Sequence, residues 1–138
     1  MIDAARDDIV RGRVVFTGSV EWKQIHKLYS MADVFVTASL SENHPMTLIE
    51  ASVSGLPIIA RRGDGVADFI EEGYNGYMVD SDRHVTERES ELLGDECRRL
   101  EFSRNGRNFS DRFNPETHVE KLESLYQQVR KQPPTQER

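Results

Sequence analysis

The sequence predicts an α/β domain, a parallel sheet with flanking helices and a C-terminal amphipathic helix. Short β-branched runs alternate with stretches of helical periodicity, and glycine or proline punctuates most of the junctions. The length of 138 residues and the hydrophobic share of 37% fit one domain of ordinary size with a modest core.

Taken in order, Val14 to Thr17 reads as a first strand ended by Gly18, and Trp22, Ile25, Leu28 and Tyr29 fall at helical spacing after it. Trp22 and Tyr29 are expected in the core. Asp33 to Thr37 reads as a second, buried strand. Met46 to Ser54 is a helix carrying Leu48, Ile49 and Val53 on its apolar side, with Gly55 as its C-terminal cap and Pro57 blocking continuation. Ile58 to Ala60 is a third strand, Val66 to Glu72 a short helix, and Gly73 to Gly76 a turn of residues able to take positive φ, leading to Tyr77–Val79. Ser81 to Asp111 is polar and helix-rich. Pro115 to Lys131 forms the final helix, with Pro in its first turn and Val119, Leu122, Leu125, Tyr126 and Val129 on one face. This gives a domain over 1–131 and an expected disordered tail over 132–138.

A net charge of −6 and a pI near 5.2 argue against nucleic acid and against direct docking on an anionic membrane, both of which need clustered Lys and Arg. Cys97 is the single cysteine, so no intrachain disulfide forms, a cytoplasmic setting fits, and a small, partly buried helical side chain is the expected role. No run approaches the length of a membrane span, and the first residues are no secretory signal. His26, His84 and His118 show no metal-ligand spacing, and Ser39 and Ser41 have no His–Asp partner nearby.

In an open parallel sheet, ligands bind beyond the carboxyl ends of the strands. Three loops reach that edge: Gly18, Ser19 and Val20; Ala38 to His44; and Arg61 to Gly65. The second runs into a helix whose first position suits Pro45, leaving the amides of Met46, Thr47 and Leu48 to face a diphosphate. Glu42 and Glu50 flank this junction and would repel phosphate but accept hydrogen bonds from sugar hydroxyls. A molecule anionic in the middle and hydroxylated at both ends, such as a nucleotide sugar, suits that pairing. Glu50 lies about 7.5 Å along the axis from Pro45, at a ribose diol, and Glu42 faces the transferred sugar. Asn43 and His44 complete the loop; His44 serves equally well as a contact to the donor sugar or as a residue at the helix N-cap.

The ordered segments Val14 to Gly18, Leu28 to Val36, Ser41-Glu42, Glu50-Ala51, Gly55 to Ala60 and Asn75-Gly76 resemble the C-terminal, Rossmann-like nucleotide-sugar-binding domain of family 4 retaining glycosyltransferases with the GT-B fold. The resemblance covers most of residues 13 to 130. It implies that Glu50 binds the ribose hydroxyls, that Glu42 lies by the donor sugar and helps retain anomeric configuration without a metal, that the amides near Met46 and Thr47 meet the distal phosphate or sugar, and that Gly18 to Val20 approaches the base. The substrate is then a UDP- or GDP-hexose, no further cofactor is needed, and the acceptor is a lipid or glycan. Membrane contact, at the inner face, belongs to the other half of the enzyme. The chain departs from the family pattern at Asn43-His44-Pro45, where glycines are usual, and at Asp68, where Glu is usual.

The resemblance also implies that an acceptor-binding N-terminal domain and two strand–helix units carrying an Arg and a Lys are missing, so this chain alone is expected to be inactive. Arg61 and Arg62 are the basic pair nearest the junction. With two strands missing, Val14 to Thr17 pairs with Val34 to Thr37 or with another chain, which would give a dimer or a domain swap. Two other classes stay open: a sugar-nucleotide epimerase or hydrolase of similar fold, and a non-catalytic nucleotide-binding module.

Overall fold

The computed structural model describes residues 12–40 and 45–131. Among these residues the sheet has three parallel strands in the order β1 (Phe35–Thr37), β2 (Ile58–Arg61), β3 (Gly76–Val79), with Phe35 opposite Ile58 and Ile58 opposite Gly76. Among the described residues five α-helices accompany it: α1 (Trp22–Met31), α2 (Met46–Ser54), α3 (Asp82–Gly94), α4 (Glu96–Ser110) and α5 (Pro115–Lys131). A 3-10 turn over Asp111–Phe113 joins the last two.

Alternation along β2 sorts its side chains to two faces, and both are covered, as a parallel sheet requires. Ile58 and Ala60 pack with Leu48 and Ala51 of α2 and with Val66, Phe69 and Ile70. Ile59 packs on the other side with Tyr77 and Val79 of β3, Leu92 of α3 and Phe102 of α4.

Local chemistry fixes the helix ends. Ser81 Oγ accepts from the His84 amide, and Asp95 Oδ1 accepts from the Arg98 amide, so α3 and α4 each start on a side-chain cap. Helix α2 ends at Gly55, φ 77°, whose amide donates to Ser52 O while Leu56 N donates to Ala51 O. This closes the orphan carbonyls in the expected manner. Asn114 Oδ1 accepts from the Glu116 amide beside Pro115 at the start of α5.

Two predicted elements are corrected. Val14 to Thr17 forms no strand: it pairs with no strand of the sheet among the described residues, and Val15 and Phe16 are 78% and 56% exposed. A β-branched run makes a strand only where a neighbour supplies hydrogen bonds. Val66 to Glu72 is a chain of turns rather than a helix. Its buried Val66, Phe69 and Ile70 have helical spacing, but the Asn75 side chain takes the Glu71 amide at 2.8 Å and donates to Phe69 O at 3.2 Å, replacing helical bonds. Only Gly73 of the following turn takes positive φ; Asn75 is instead a fully buried staple, and Gly76 is a strand residue on which a Cβ would run into the Ile58 carbonyl.

Two single-residue expectations also change. Trp22 is 78% exposed rather than core, whereas Tyr29 packs partly buried against the core. Cys97 is exposed on α4. The apolar face of α5 is exposed from Val119 to Val129. The tail over 132–138 lies outside the described residues.

A polar node ties β3 to α3. The Tyr77 hydroxyl donates to Glu91 Oε1 at 2.6 Å, and Arg88 both donates to Glu91 Oε2 at 2.6 Å and stacks on the Tyr77 ring at 4.3 Å. Burial, and then the bond to Glu91, push the Tyr77 phenol up, so it stays a donor. The bond from Tyr77, and then that from Arg88, hold the Glu91 carboxyl below its ordinary range. A depressed carboxyl contributes stability above its unfolded pKa and loses it as pH falls through the folded value. Glu91→Gln is therefore expected to lower the denaturant midpoint at neutral pH, with the gap to wild type closing in titrations below about pH 4.

Candidate nucleotide-binding edge

The loops leaving β1 and β2 meet at the carboxyl edge of the sheet. They approach so closely that a Cβ on Gly63 would run into the Leu40 carbonyl, so glycine is the residue that lets the two backbones touch. The loop of Gly18, Ser19 and Val20 lies just before α1 and is mostly exposed, with Gly18 at φ 64°. Glu42, Asn43 and His44 fall outside the described residues.

Pro45 is buried and serves as the N-cap of α2 rather than as its expected first helical residue. Its φ of −74° suits the helix but its ψ of 88° does not, and its carbonyl accepts from the Leu48 amide at 2.9 Å. Leu48 is thus removed from the expected set of free donors, and its side chain is fully buried. Met46 and Thr47 remain: both are exposed, and their amides make no hydrogen bond among the described residues. No acid sits in the first turn of α2, so nothing there competes with a bound anion for the positive end of the helix.

Glu50 is exposed one turn further on, and its Oε2 accepts from the Tyr29 hydroxyl at 2.8 Å. Nothing in the sequence pattern signals this bond, because Tyr29 has the spacing of a core residue on α1. Glu50 joins no salt bridge among the described residues. It lines a groove of about 510 Å³ between α1 and α2 with Trp22, Ile25, Tyr29, Ile49 and Val53. A larger groove, about 790 Å³, shares Ile49 and Val53 with it, runs beside Phe113 and His118 and does not include Glu50.

The two arginines at the carboxyl end of β2 are each paired. Arg61 meets Asp82 at 2.8 Å, and Arg62 meets Asp80 at 3.0 Å. Such exposed pairs are weak and yield to a better anion. Among the described residues no cluster of three or more His, Cys, Asp or Glu stands ready for a metal, and no helix is long and apolar enough to cross a membrane.

The model of the family described as glycosyl transferases group 1 matches residues 2–109. The chain belongs to the group 1 glycosyl transferases. Its sheet and helices match the C-terminal domain of GT-B glycosyl transferases. Spore coat protein SA of Bacillus subtilis is 32% identical over 126 residues, 87% of this chain and 33% of its own length. Sucrose-phosphate synthase from Thermosynechococcus elongatus superposes with a TM-score of 0.82 at 25% identity, covering 92% of this chain and 33% of that one. The pneumococcal O-GlcNAc transferase GtfA, solved in complex with UDP and GlcNAc, superposes at 0.72 with 27% identity over 94% of this chain and 27% of that one. This group 1 glycosyl transferase chain thus spans a third or less of the relatives named.

Proposed function

We propose that this chain binds the donor of a glycosyl transferase, a nucleotide-activated hexose, at the edge where α2 begins. The observation that carries the reading is Glu50, held at 2.8 Å by Tyr29 one turn inside a helix whose first two amides are unpaired among the described residues. In this reading the diphosphate sits on Met46 and Thr47, the ribose diol on Glu50, the base toward Gly18, Ser19 and Val20, and the hexose toward Glu42. Family membership and the UDP held by the GtfA neighbour support a uridine or similar nucleotide.

An acceptor hydroxyl of a lipid or glycan, presented by another domain of the parent protein, then attacks C1 of the hexose. The C1–O bond to the diphosphate breaks, the leaving diphosphate takes the hydroxyl proton, and attack on the same face retains configuration. Electrostatic stabilisation of that leaving group by fixed dipoles is the main term the chain would supply. The pairing of Arg61 and Arg62 with Asp82 and Asp80 favours one second reading, a nucleotide-binding module that does not turn over. Its signature is equal affinity for UDP and UDP-glucose, with the sugar left uncontacted.

Calorimetric titration of the 138-residue chain with UDP-glucose, GDP-mannose and the free nucleotides tests the reading. One saturable site is expected, and Glu50→Gln is expected to weaken it about tenfold or more, as loss of a charge-assisted hydrogen bond implies. No binding of any of these ligands would exclude the donor role, and unchanged affinity in the variant would exclude Glu50 from the ribose.

A further inference from the structure

We propose that Tyr29 is a positioning residue for the nucleotide, its phenol fixing the Glu50 carboxylate so that the second oxygen is presented to the ribose diol. This rests on the donor-binding reading above.

Three observations converge on it. The Tyr29 ring is anchored: it packs on the core cluster and stands against Phe35 with ring centroids 5.9 Å apart at 50°. Its hydroxyl reaches Glu50 Oε2 at 2.8 Å across 21 residues of sequence, and Glu50 has no other side-chain partner among the described residues. An exposed glutamate left alone samples several rotamers and loses that freedom when a ligand binds; a hydrogen bond from a core-anchored donor removes part of the loss beforehand. The parallel course of the two helices supplies the direction. Each precedes a strand of the same parallel sheet, so α1 and α2 both run away from the carboxyl edge, and helical side chains lean toward the helix N-terminus. Tyr29 and Glu50 therefore lean toward the ligand edge together.

The chemistry fits. Burial, and then the bond to Glu50, push the Tyr29 phenol well above its usual range, so it keeps its proton and remains a donor at neutral pH. A carboxylate that accepts from one phenol retains Oε1 for hydroxyl donors. A phenol is also neutral, so it orients Glu50 without cancelling the charge that grips the diol, as an arginine would.

The test compares two ligands on the 138-residue chain by calorimetry: UDP, and 2′,3′-dideoxy-UDP, which lacks the diol. Tyr29→Phe keeps the ring and its packing. It is expected to weaken UDP binding by roughly threefold to tenfold, the share of a pre-organised contact, and to leave dideoxy-UDP affinity unchanged. In a Glu50→Gln background the same change is expected to do nothing further. Equal weakening of both ligands would show a general structural role and overturn the proposal, as would no effect on UDP. If wild type fails to distinguish the two ligands and Glu50→Gln is silent, the ribose assignment itself falls; if Glu50→Gln weakens UDP binding and Tyr29→Phe does not, only the positioning role falls.

Discussion

Phe102→Ala is expected to destabilise the chain by about 3–5 kcal/mol, the cost of emptying an aromatic core position. Phe102 is fully buried on α4, packed with Ile59, Tyr77, Val79 and Leu92, its ring 5.2 Å from that of Tyr77 and covered by the Arg98 guanidinium at 4.6 Å. Among the described residues this face of the sheet is covered by the one cluster that Phe102 centres. Loss of the residue also uncovers the Tyr77 to Glu91 bond, coupling the cavity to the polar node. Urea denaturation measures the effect, and a loss under about 1 kcal/mol would mean that α4 does not seal this face.

Asn75→Ala is expected to cost about 1–3 kcal/mol, because it takes the acceptor from the Glu71 amide, at roughly 1–3 kcal/mol for an unsatisfied group, and also removes the donor to the Phe69 carbonyl. The side chain is fully buried and satisfies both. Asn75→Asp separates the two contributions. It keeps an acceptor for Glu71 but sets a second oxygen against Phe69 O, so it too is expected to destabilise, and protonation at low pH restores the donor. Asn75 precedes β3 at the amino edge of the sheet, opposite the ligand edge. Nucleotide affinity measured well below the melting temperature is expected to be untouched.

These two residues mark where the sequence was legible and where it was not. The strands Phe35–Thr37, Ile58–Arg61 and Gly76–Val79 are readable because apolar runs sit between clear breakers, and the end of α2 is readable from Gly55 and Pro57. Phe102 lies in a stretch too polar to advertise a core position. Val66, Phe69 and Ile70 imitate a helix because burial on one side of any compact turn yields the same spacing; the deciding bond comes from Asn75, outside the window. Val14 to Thr17 carries strand propensity with no strand to pair with among the described residues. In α5 the period gives the helix and its apolar face but not what covers that face.

At the ligand edge, Glu50 and the start of α2 were legible from charge, proline and spacing, while the contribution of Tyr29 was not. A hydroxyl bonding across 21 residues leaves no periodic trace. The Leu48 amide is taken by a bond to the carbonyl three residues back, Pro45, a local tightening of the first turn that residue identity does not signal.

The most direct test of the nucleotide cradle is an amide-resolved NMR titration of the 138-residue chain with UDP. The expected result is saturable movement largest at the Met46 and Thr47 amides, with Leu48 shifting less because its N–H is already bonded to Pro45. Saturation with both of those amides unmoved, or no movement anywhere at millimolar UDP, would contradict it.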